Sequence, residues 1–104
     1  MSEMKQSYFE EMIEQADKLV ALAFGAPWCG PCKMLVPSFQ KIALEINDEY
    51  ICANVNIEEN PDFSRKNNVV NIPTTIIYKN GLEIDKLVGF TSEEELEGFL
   101  KKHV

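Results

Sequence analysis

The apolar residues of this chain follow two kinds of spacing, which alternate along the sequence. Every residue from Leu19 to Phe24 is apolar, and such a run is typical of a strand that is covered on both faces of a sheet. Tyr50 to Asn56 and Thr74 to Tyr78 predict two further strands. Because Asn80-Gly81 is a strong hairpin signal, we expect Leu82 to Val88 to return as an antiparallel fourth strand.

The first two helices are predicted from apolar residues that recur at helical spacing. Ser7 and Glu10 fit a capping box, and we expect the helix that follows to span about residues 8 to 16. A long second helix is predicted to end near Asn47. It contains Pro37, and a proline inside a helix commonly produces a kink.

The second half of the chain adds two shorter helices. Glu58 to about Asn67 is charged and predicts a short helix, while Thr91-Ser92-Glu93-Glu94 fits another capping box before a final helix. The order of elements is therefore helix, strand, helix, strand, helix, hairpin and helix. This order predicts an α/β fold with a central mixed sheet of about four strands, flanked by helices on both faces.

Length and composition indicate one domain that spans residues 1–104. The chain is 45% hydrophobic and 26% charged over 104 residues, which is the balance of a single globular domain. Its net charge of -7 repels a phosphate backbone and an anionic lipid surface, so we expect neither nucleic acid nor a membrane as a partner. A well-solvated acidic surface also favours a monomer.

The sequence also predicts a cytoplasmic location. Met1-Ser2-Glu3-Met4-Lys5 has no apolar core after a basic stretch, unlike a secretory signal. The apolar run from Leu19 to Ala26 is well short of the ~20 residues that cross a bilayer as a helix. We therefore expect a reducing compartment, in which structural disulfides are rare.

Three cysteines carry the candidate chemistry, and two of them form the segment Cys29-Gly30-Pro31-Cys32. In an intracellular chain this spacing indicates either a catalytic pair or a metal site. A structural zinc ion needs four ligands, and only Cys52 and His103 remain to complete the set. Cys52 lies in an apolar strand, where we expect a buried small hydrophobe, and His103 lies near a terminus that we expect to be frayed. We therefore expect no metal.

The catalytic interpretation has a direct physical basis. A cysteine attacks a disulfide only as the thiolate, and Cys29 lies where the long helix is predicted to begin. Unpaired N–H groups and the positive end of the helix dipole stabilise an anion there. Cys32, one turn further on, is placed to resolve the mixed disulfide, and we expect it to be more buried than Cys29. Pro31 suits the first turn, and Gly30 avoids obstructing the small ring.

The residues around this motif resemble the active-site segment of the thioredoxin family. The resemblance rests on Phe24-Gly25-Ala26-Pro27-Trp28-Cys29-Gly30-Pro31-Cys32-Lys33-Met34 with Pro37. It continues through Asn56-Ile57-Glu58-Glu59-Asn60-Pro61, Asn71-Ile72-Pro73-Thr74-Thr75, Lys79-Asn80-Gly81 and Leu87-Val88-Gly89. It thus covers nearly the whole chain from about Tyr8, and it implies a thioredoxin fold and a protein-disulfide reductase.

The resemblance also assigns expected roles to individual residues. It implies that Cys29 is the nucleophile, that Cys32 is the resolving thiol, and that Pro73 follows a cis peptide bond beside the sulfurs. Ile72 is expected to offer backbone hydrogen bonds to an extended substrate. The expected substrate-binding groove consists of Trp28, Gly30, Pro31, Ile72, Pro73 and Gly89.

The partners implied by the resemblance are a thioredoxin reductase, linked to NADPH or to ferredoxin, and client proteins that contain disulfides. No cofactor is expected beyond the redox-active cysteine pair. Two alternatives stay open. The first alternative is a non-catalytic binding or chaperone-like module with the same fold. The second is an oxidase or isomerase that donates its disulfide.

The sequence departs from the family pattern behind the cysteines. Most thioredoxins carry a buried aspartate and a lysine where this chain has Ala23 and Asn54, and a tryptophan where it has Gly25. We expect proton transfer at Cys32 to use water or groups of the partner instead. The family's first edge strand is also not evident, because residues 1–6 are short and polar, so we expect it to be short or absent.

Overall fold

The protein is described by a computed structural model that places residues 2–104, with side chains described from residue 8 onward. Four helices and four strands alternate in the predicted order. Their bounds are α1 Ser2–Gln15, β1 Leu19–Gly25, α2 Gly30–Glu45, β2 Tyr50–Asn56, α3 Pro61–Lys66, β3 Thr74–Lys79, β4 Leu82–Val88 and α4 Glu93–Lys101. Within residues 2–104 no strand precedes β1, so the expected loss of the first edge strand is confirmed.

The four strands form one mixed sheet in the order β2-β1-β3-β4. Strand β1 pairs in parallel with β2 and antiparallel with β3, and β4 closes the sheet as the antiparallel partner of β3. The turn between β3 and β4 has positive φ angles at both Asn80 (54°) and Gly81 (82°), as an Asn-Gly hairpin turn requires. The predicted mixed sheet and hairpin are therefore confirmed.

Strand β1 is the centre of the molecule because its side chains fill a core on each face. Leu19, Ala21 and Ala23 point into the core that includes Phe39 of α2 and Leu96 of α4. The intervening side chains point into the opposite core, formed with α1 and α3. Alternation of this kind follows from the two-residue repeat of a strand. It accounts for the continuous apolar run, and it places α2 directly over one face of β1.

Two predicted helix starts differ from the structure. Helix α1 begins at Ser2, so Ser7 does not cap it, because the preceding Glu3, Met4, Lys5 and Gln6 are good helix formers that extend the helix backwards. Helix α3 begins at Pro61 rather than Glu58, after a turn. The end of α2 at Glu45 lies close to the predicted residue 47.

The final capping box is shifted by one residue from the predicted one. Ser92, not Thr91, is the N-cap of α4, and its side chain accepts a hydrogen bond from the backbone N–H of Glu95. Both Thr91 and Ser92 are followed by a glutamate three residues later, so the sequence pattern fits either register. Among residues 2–104, none of the helices has both the length and the apolar character that a membrane crossing needs.

Candidate active site

The cysteine motif forms the start of helix α2. Cys29 is the N-cap residue, and its Sγ accepts a hydrogen bond of 3.3 Å from the backbone N–H of Cys32. Pro31 lies in the first turn, where its missing N–H costs nothing. Cys29 and Cys32 are joined by a disulfide with Cα atoms 5.2 Å apart. The predicted position of the pair at a helix N-terminus is therefore confirmed.

The predicted difference in burial between the two cysteines is wrong for this disulfide form. Cys29 is 7% exposed and Cys32 is 6% exposed. Both side chains belong to a small cluster with Ala26, against which Ile72 packs. Burial therefore does not distinguish the two sulfurs. The distinction comes from the helix instead, since the Sγ of Cys29 accepts a backbone N–H that stabilises a thiolate.

The expected steric role of Gly30 is also not supported. A Cβ atom built on Gly30 meets nothing within 4 Å, and the residue does not have a positive φ angle. Its place at the start of α2 would accept a side chain without a clash. The structure gives no reason for glycine at this position.

Trp28 lies on the surface directly before the cysteines, as expected. Its side chain is 65% exposed, and its indole Nε1–H donates a hydrogen bond of 2.8 Å to Oε2 of Glu58. Glu58 is itself positioned, because its backbone N–H donates to Oδ1 of Asn56 at 2.9 Å. The sequence analysis gave Glu58 and Asn56 no role in the site. The one local signal was the ability of an asparagine to bond the backbone two residues later.

The loop before β3 lies against the cysteines from the other side. The peptide bond between Ile72 and Pro73 is cis, as the resemblance implied. The carbonyl oxygen of Pro73 accepts a hydrogen bond of 2.7 Å from the N–H of Gly89. Gly89 has φ of 93°, while a Cβ atom there would meet nothing within 4 Å. Glycine is therefore favoured at this position by backbone conformation rather than by close packing.

The region behind Cys32 contains small and neutral side chains. Ala23 on β1 is paired directly with Asn54 on β2, and both residues line a cavity of about 220 Å³ together with Cys32. Gly25 approaches so closely that a Cβ atom there would lie 3.1 Å from the Sγ of Cys32. Of the described residues that line the cavity, Lys33 alone carries a charge. Where most thioredoxins carry a carboxylate behind Cys32, this protein therefore has the small side chain of Ala23 and a cavity beside it.

Cys52 and His103 lie apart from the reactive pair. Cys52 is only partly buried, not fully buried as expected, and burial raises the pKa of its thiol to about 11. His103 is not frayed, because its Nε2 lies 2.8 Å from Oδ2 of Asp85 on β4. Among the described residues, no three histidine, cysteine or acidic side chains gather as a metal site.

Comparison with known proteins gives a consistent result. The thioredoxin family model matches residues 1–102. A thioredoxin of Staphylococcus haemolyticus is 40% identical over 98 residues, which are 94% of this chain and 92% of that protein. A thioredoxin of Staphylococcus aureus is 38% identical over 96 residues, which are 92% of this chain and 90% of that protein.

A solved structure supports the same assignment. The oxidized form of mitochondrial thioredoxin 3 from Saccharomyces cerevisiae superposes with a TM-score of 0.83 at 30% sequence identity, and the match covers 92% of this chain and 88% of that one. The predicted thioredoxin fold is therefore confirmed, without the first edge strand in residues 2–104. From the family match, the relatives and the cysteine pair together, this chain belongs to the thioredoxin family of thiol-disulfide oxidoreductases.

Proposed function

We propose that this protein reduces disulfides in client proteins, with Cys29 as the nucleophile and Cys32 as the resolving thiol. The Cys29 thiolate attacks one client sulfur, a mixed disulfide forms, and the other client sulfur leaves as a thiolate that takes up a proton. Cys32 then loses its proton and attacks the Sγ of Cys29. The Cys29–Cys32 disulfide forms, the second client sulfur is released, and two electrons have passed from the protein to the client.

The observation that carries this proposal is the Cys29–Cys32 disulfide at the N-terminus of α2, with the Sγ of Cys29 accepting the Cys32 N–H. A dithiothreitol-coupled insulin turbidity assay tests it. The protein is expected to accelerate precipitation of reduced insulin, and Cys29→Ser is expected to fall to the uncatalysed rate. Cys52→Ser is the matched control and should keep full activity, because the Cys52 thiol is protonated at neutral pH. Equal turbidity with wild type and Cys29→Ser would favour a binding module without catalysis.

The proposed client surface surrounds the cysteines and consists of Trp28, Gly30, Pro31, Ile72, Pro73 and Gly89. Support for this surface comes from the exposure of Trp28, the packing of Ile72 against the cysteines, the hydrogen bond between Gly89 and Pro73, and the position of Gly30 and Pro31 at the start of α2. An extended client segment would bond the backbone of Ile72, as in strand addition. An Ile72→Pro variant, which removes one backbone donor, is expected to raise KM for insulin.

The electron donor is proposed to be a thioredoxin reductase, linked either to NADPH through a flavoprotein or to ferredoxin. Support comes from the family assignment. Incubating the oxidised protein with each type of reductase and following the appearance of free thiols would identify the donor. Trapping with Cys32→Ser, which holds the mixed disulfide, followed by mass spectrometry would identify the clients.

We further propose that residues 1–104 act as one monomeric domain in the cytoplasm, where the protein takes part in electron transport and cell redox homeostasis without a cofactor beyond its cysteine pair. The net charge of -7 supports a monomer. Sedimentation of the oxidised and reduced protein tests this, and a dimer in either state would contradict it.

A further inference from the structure

The proposed mechanism leaves unused a cavity that lies behind Cys32. It lies between β1, β2 and α2 and has a volume of about 220 Å³. Cys32 and Pro73 both form part of its wall, while Trp28 does not line it. Three of its lining residues, Pro27, Lys33 and Asn54, are exposed, so the cavity opens to solvent. The reactive disulfide therefore borders this cavity as well as the surface around Trp28.

The cavity exists because small residues occupy a strand that cannot move to fill the space. Ala23 and Gly25 lie on β1, which is hydrogen-bonded to β2 on one side and to β3 on the other. The backbone of a central strand that is held on both sides cannot collapse inward. Ala23 retains 8% exposure and Cys32 retains 6%, so both side chains can be touched by a molecule the size of water.

The walls favour a largely apolar occupant, because most of the lining is hydrocarbon, including Ala23, Leu35 and Phe39. Among the described lining residues only Lys33 carries a charge, and it is exposed. Placing a charged group against such walls without a partner is costly. An apolar protein cavity of ~150 Å³ is large enough to bind benzene, and this cavity is larger. One aromatic ring with a small substituent would fit.

We propose that this cavity is a binding site for one small, uncharged, largely apolar molecule, and that its occupancy shields Cys32 from water. The second half rests on the proposed function, in which Cys32 must lose a proton before it can resolve the mixed disulfide. With the cavity occupied, water cannot reach Cys32 from behind, and an apolar surrounding disfavours the thiolate. Binding therefore slows resolution while Cys29 stays free to attack.

Binding is tested with benzene as the probe, by two-dimensional NMR of the isotope-labelled oxidised protein. Saturable shifts are expected at backbone amides of β1 and β2 around Ala23 and Asn54. Ala23→Leu fills the cavity and should weaken benzene binding by about tenfold or more. Ala23→Val fills less of it, should weaken binding by a smaller factor, and keeps the test available if Ala23→Leu does not fold.

The matched control is Ala53→Leu. Ala53 is half-buried on the other face of β2, where it packs against the α1 and α3 core and does not line the cavity. This variant should bind benzene as wild type does. The absence of saturable shifts in wild type, or equal binding by wild type, Ala23→Val and Ala23→Leu, would overturn the proposed site.

The effect on Cys32 is tested by the rate of the second step, measured as release of a chromophoric thiol from a preformed mixed disulfide at Cys29. Saturating benzene should slow this release several-fold in wild type and in Ala53→Leu. In Ala23→Leu the release should be slow both with and without benzene. Benzene binding without any change in release would overturn the shielding half of the proposal. If the protein failed to reduce insulin at all, the proposed function would fall, while the NMR result would still decide the binding site.

Discussion

The two sides of the Cys29–Cys32 disulfide are built in different ways. On the outer side, hydrogen bonds fix the geometry: the Trp28 indole donates to Glu58, and the Gly89 N–H donates to the carbonyl of Pro73. On the inner side, Ala23 faces a cavity of about 220 Å³. The outer side is therefore held by hydrogen bonds, while the inner side has no carboxylate among the described residues that line the cavity beside Cys32.

This difference teaches which part of the chemistry depends on which residues. Activation of Cys29 depends on the start of α2, which is local and compact in sequence. The residues behind Cys32, Ala23 and Asn54, belong to β1 and β2 and are brought together only by the fold. Each of the following changes alters one side of the disulfide, or neither side, and they are given from the largest expected effect to the smallest.

Placing a carboxylate on the inner side should produce the largest gain. In Ala23→Asp the new side chain faces the cavity beside Cys32, where apolar surroundings raise the pKa of a carboxyl group toward neutrality and make it a better proton acceptor. Insulin reduction should accelerate by about tenfold, below the ~10²–10⁴-fold effect of an optimised general base. Turnover with excess reductant between about pH 6 and 9 is the measurement, since thiols titrate around this range.

The control for this change is Ala23→Asn, which has a similar size but cannot accept a proton from a thiol at these pH values. It should show no acceleration. Equal rates for Ala23→Asp and wild type across the whole range would show that the missing carboxylate is already compensated, and that the inner side does not limit turnover.

Releasing Trp28 on the outer side should have a smaller effect. Glu58→Ala removes the acceptor for the indole N–H, so Trp28 samples more orientations before a client binds. The loss of one hydrogen bond to a charged group on an exposed surface should raise KM for insulin about threefold, with kcat little changed. Glu58→Gln keeps an acceptor oxygen and should retain most of the affinity. An unchanged KM in Glu58→Ala would mean that the position of Trp28 does not matter for client binding.

The conformation of Gly89 should affect stability more than chemistry. Because its φ is 93°, Gly89→Ala should lower the free energy of unfolding by about 1–2 kcal/mol. Gly98→Ala is the control, since Gly98 lies inside α4 and a Cβ atom there would meet nothing within 4 Å. It should raise the free energy of unfolding by about 0.5–1 kcal/mol. Urea unfolding measures the free energy of unfolding of both variants. If both variants raised it, or both lowered it, the explanation from the positive φ angle of Gly89 would be contradicted.

A change at Asp85, far from both sides of the Cys29–Cys32 disulfide, should have the smallest effect. The hydrogen bond from His103, assisted by Lys102, lowers the pKa of Asp85. A carboxyl group whose pKa is lowered by folding stabilises the protein above its unfolded pKa of about 3.9, and this contribution is lost as the pH falls through the folded pKa. Asp85→Asn should therefore lower Tm slightly at neutral pH, and the difference from wild type should shrink below about pH 4 and vanish only once the pH has fallen through the lowered pKa of Asp85. A difference that persists in acid would contradict the ion-pair explanation, and reductase activity should not change.

The sequence was sufficient for the elements whose signals are local. The continuous apolar run of β1, the Asn80-Gly81 turn and the helix that begins at the cysteine motif all follow from neighbouring residues. Where two local signals compete, as at the start of α4, the predicted N-cap was wrong by one residue. Thr91 and Ser92 are both followed by a glutamate at the capping-box distance, and in the structure Ser92 is the N-cap of α4.

The parts of the site that were not predicted depend on residues distant in sequence. The contact between Trp28 and Glu58 spans 30 residues, and no local pattern indicates it. Equal burial of Cys29 and Cys32 depends on Ile72 and on how closely Gly25 approaches Cys32. The sequence showed that Ala23 and Asn54 are small or neutral. Their direct pairing beside a cavity emerges only when β1 and β2 align.

The central claim is that the start of α2 makes Cys29 the reactive thiol, and the chain contains an internal reference for testing it. Reduced protein is treated with a limiting amount of iodoacetamide at neutral pH, and alkylation at each cysteine is followed by mass spectrometry. Burial raises the pKa of Cys52 to about 11, so this residue reports the background reactivity of a thiol that is protonated at neutral pH. Cys29 should be modified far faster than Cys52, and its rate should already approach a plateau near neutral pH. Modification of Cys29 no faster than Cys52 would contradict the account.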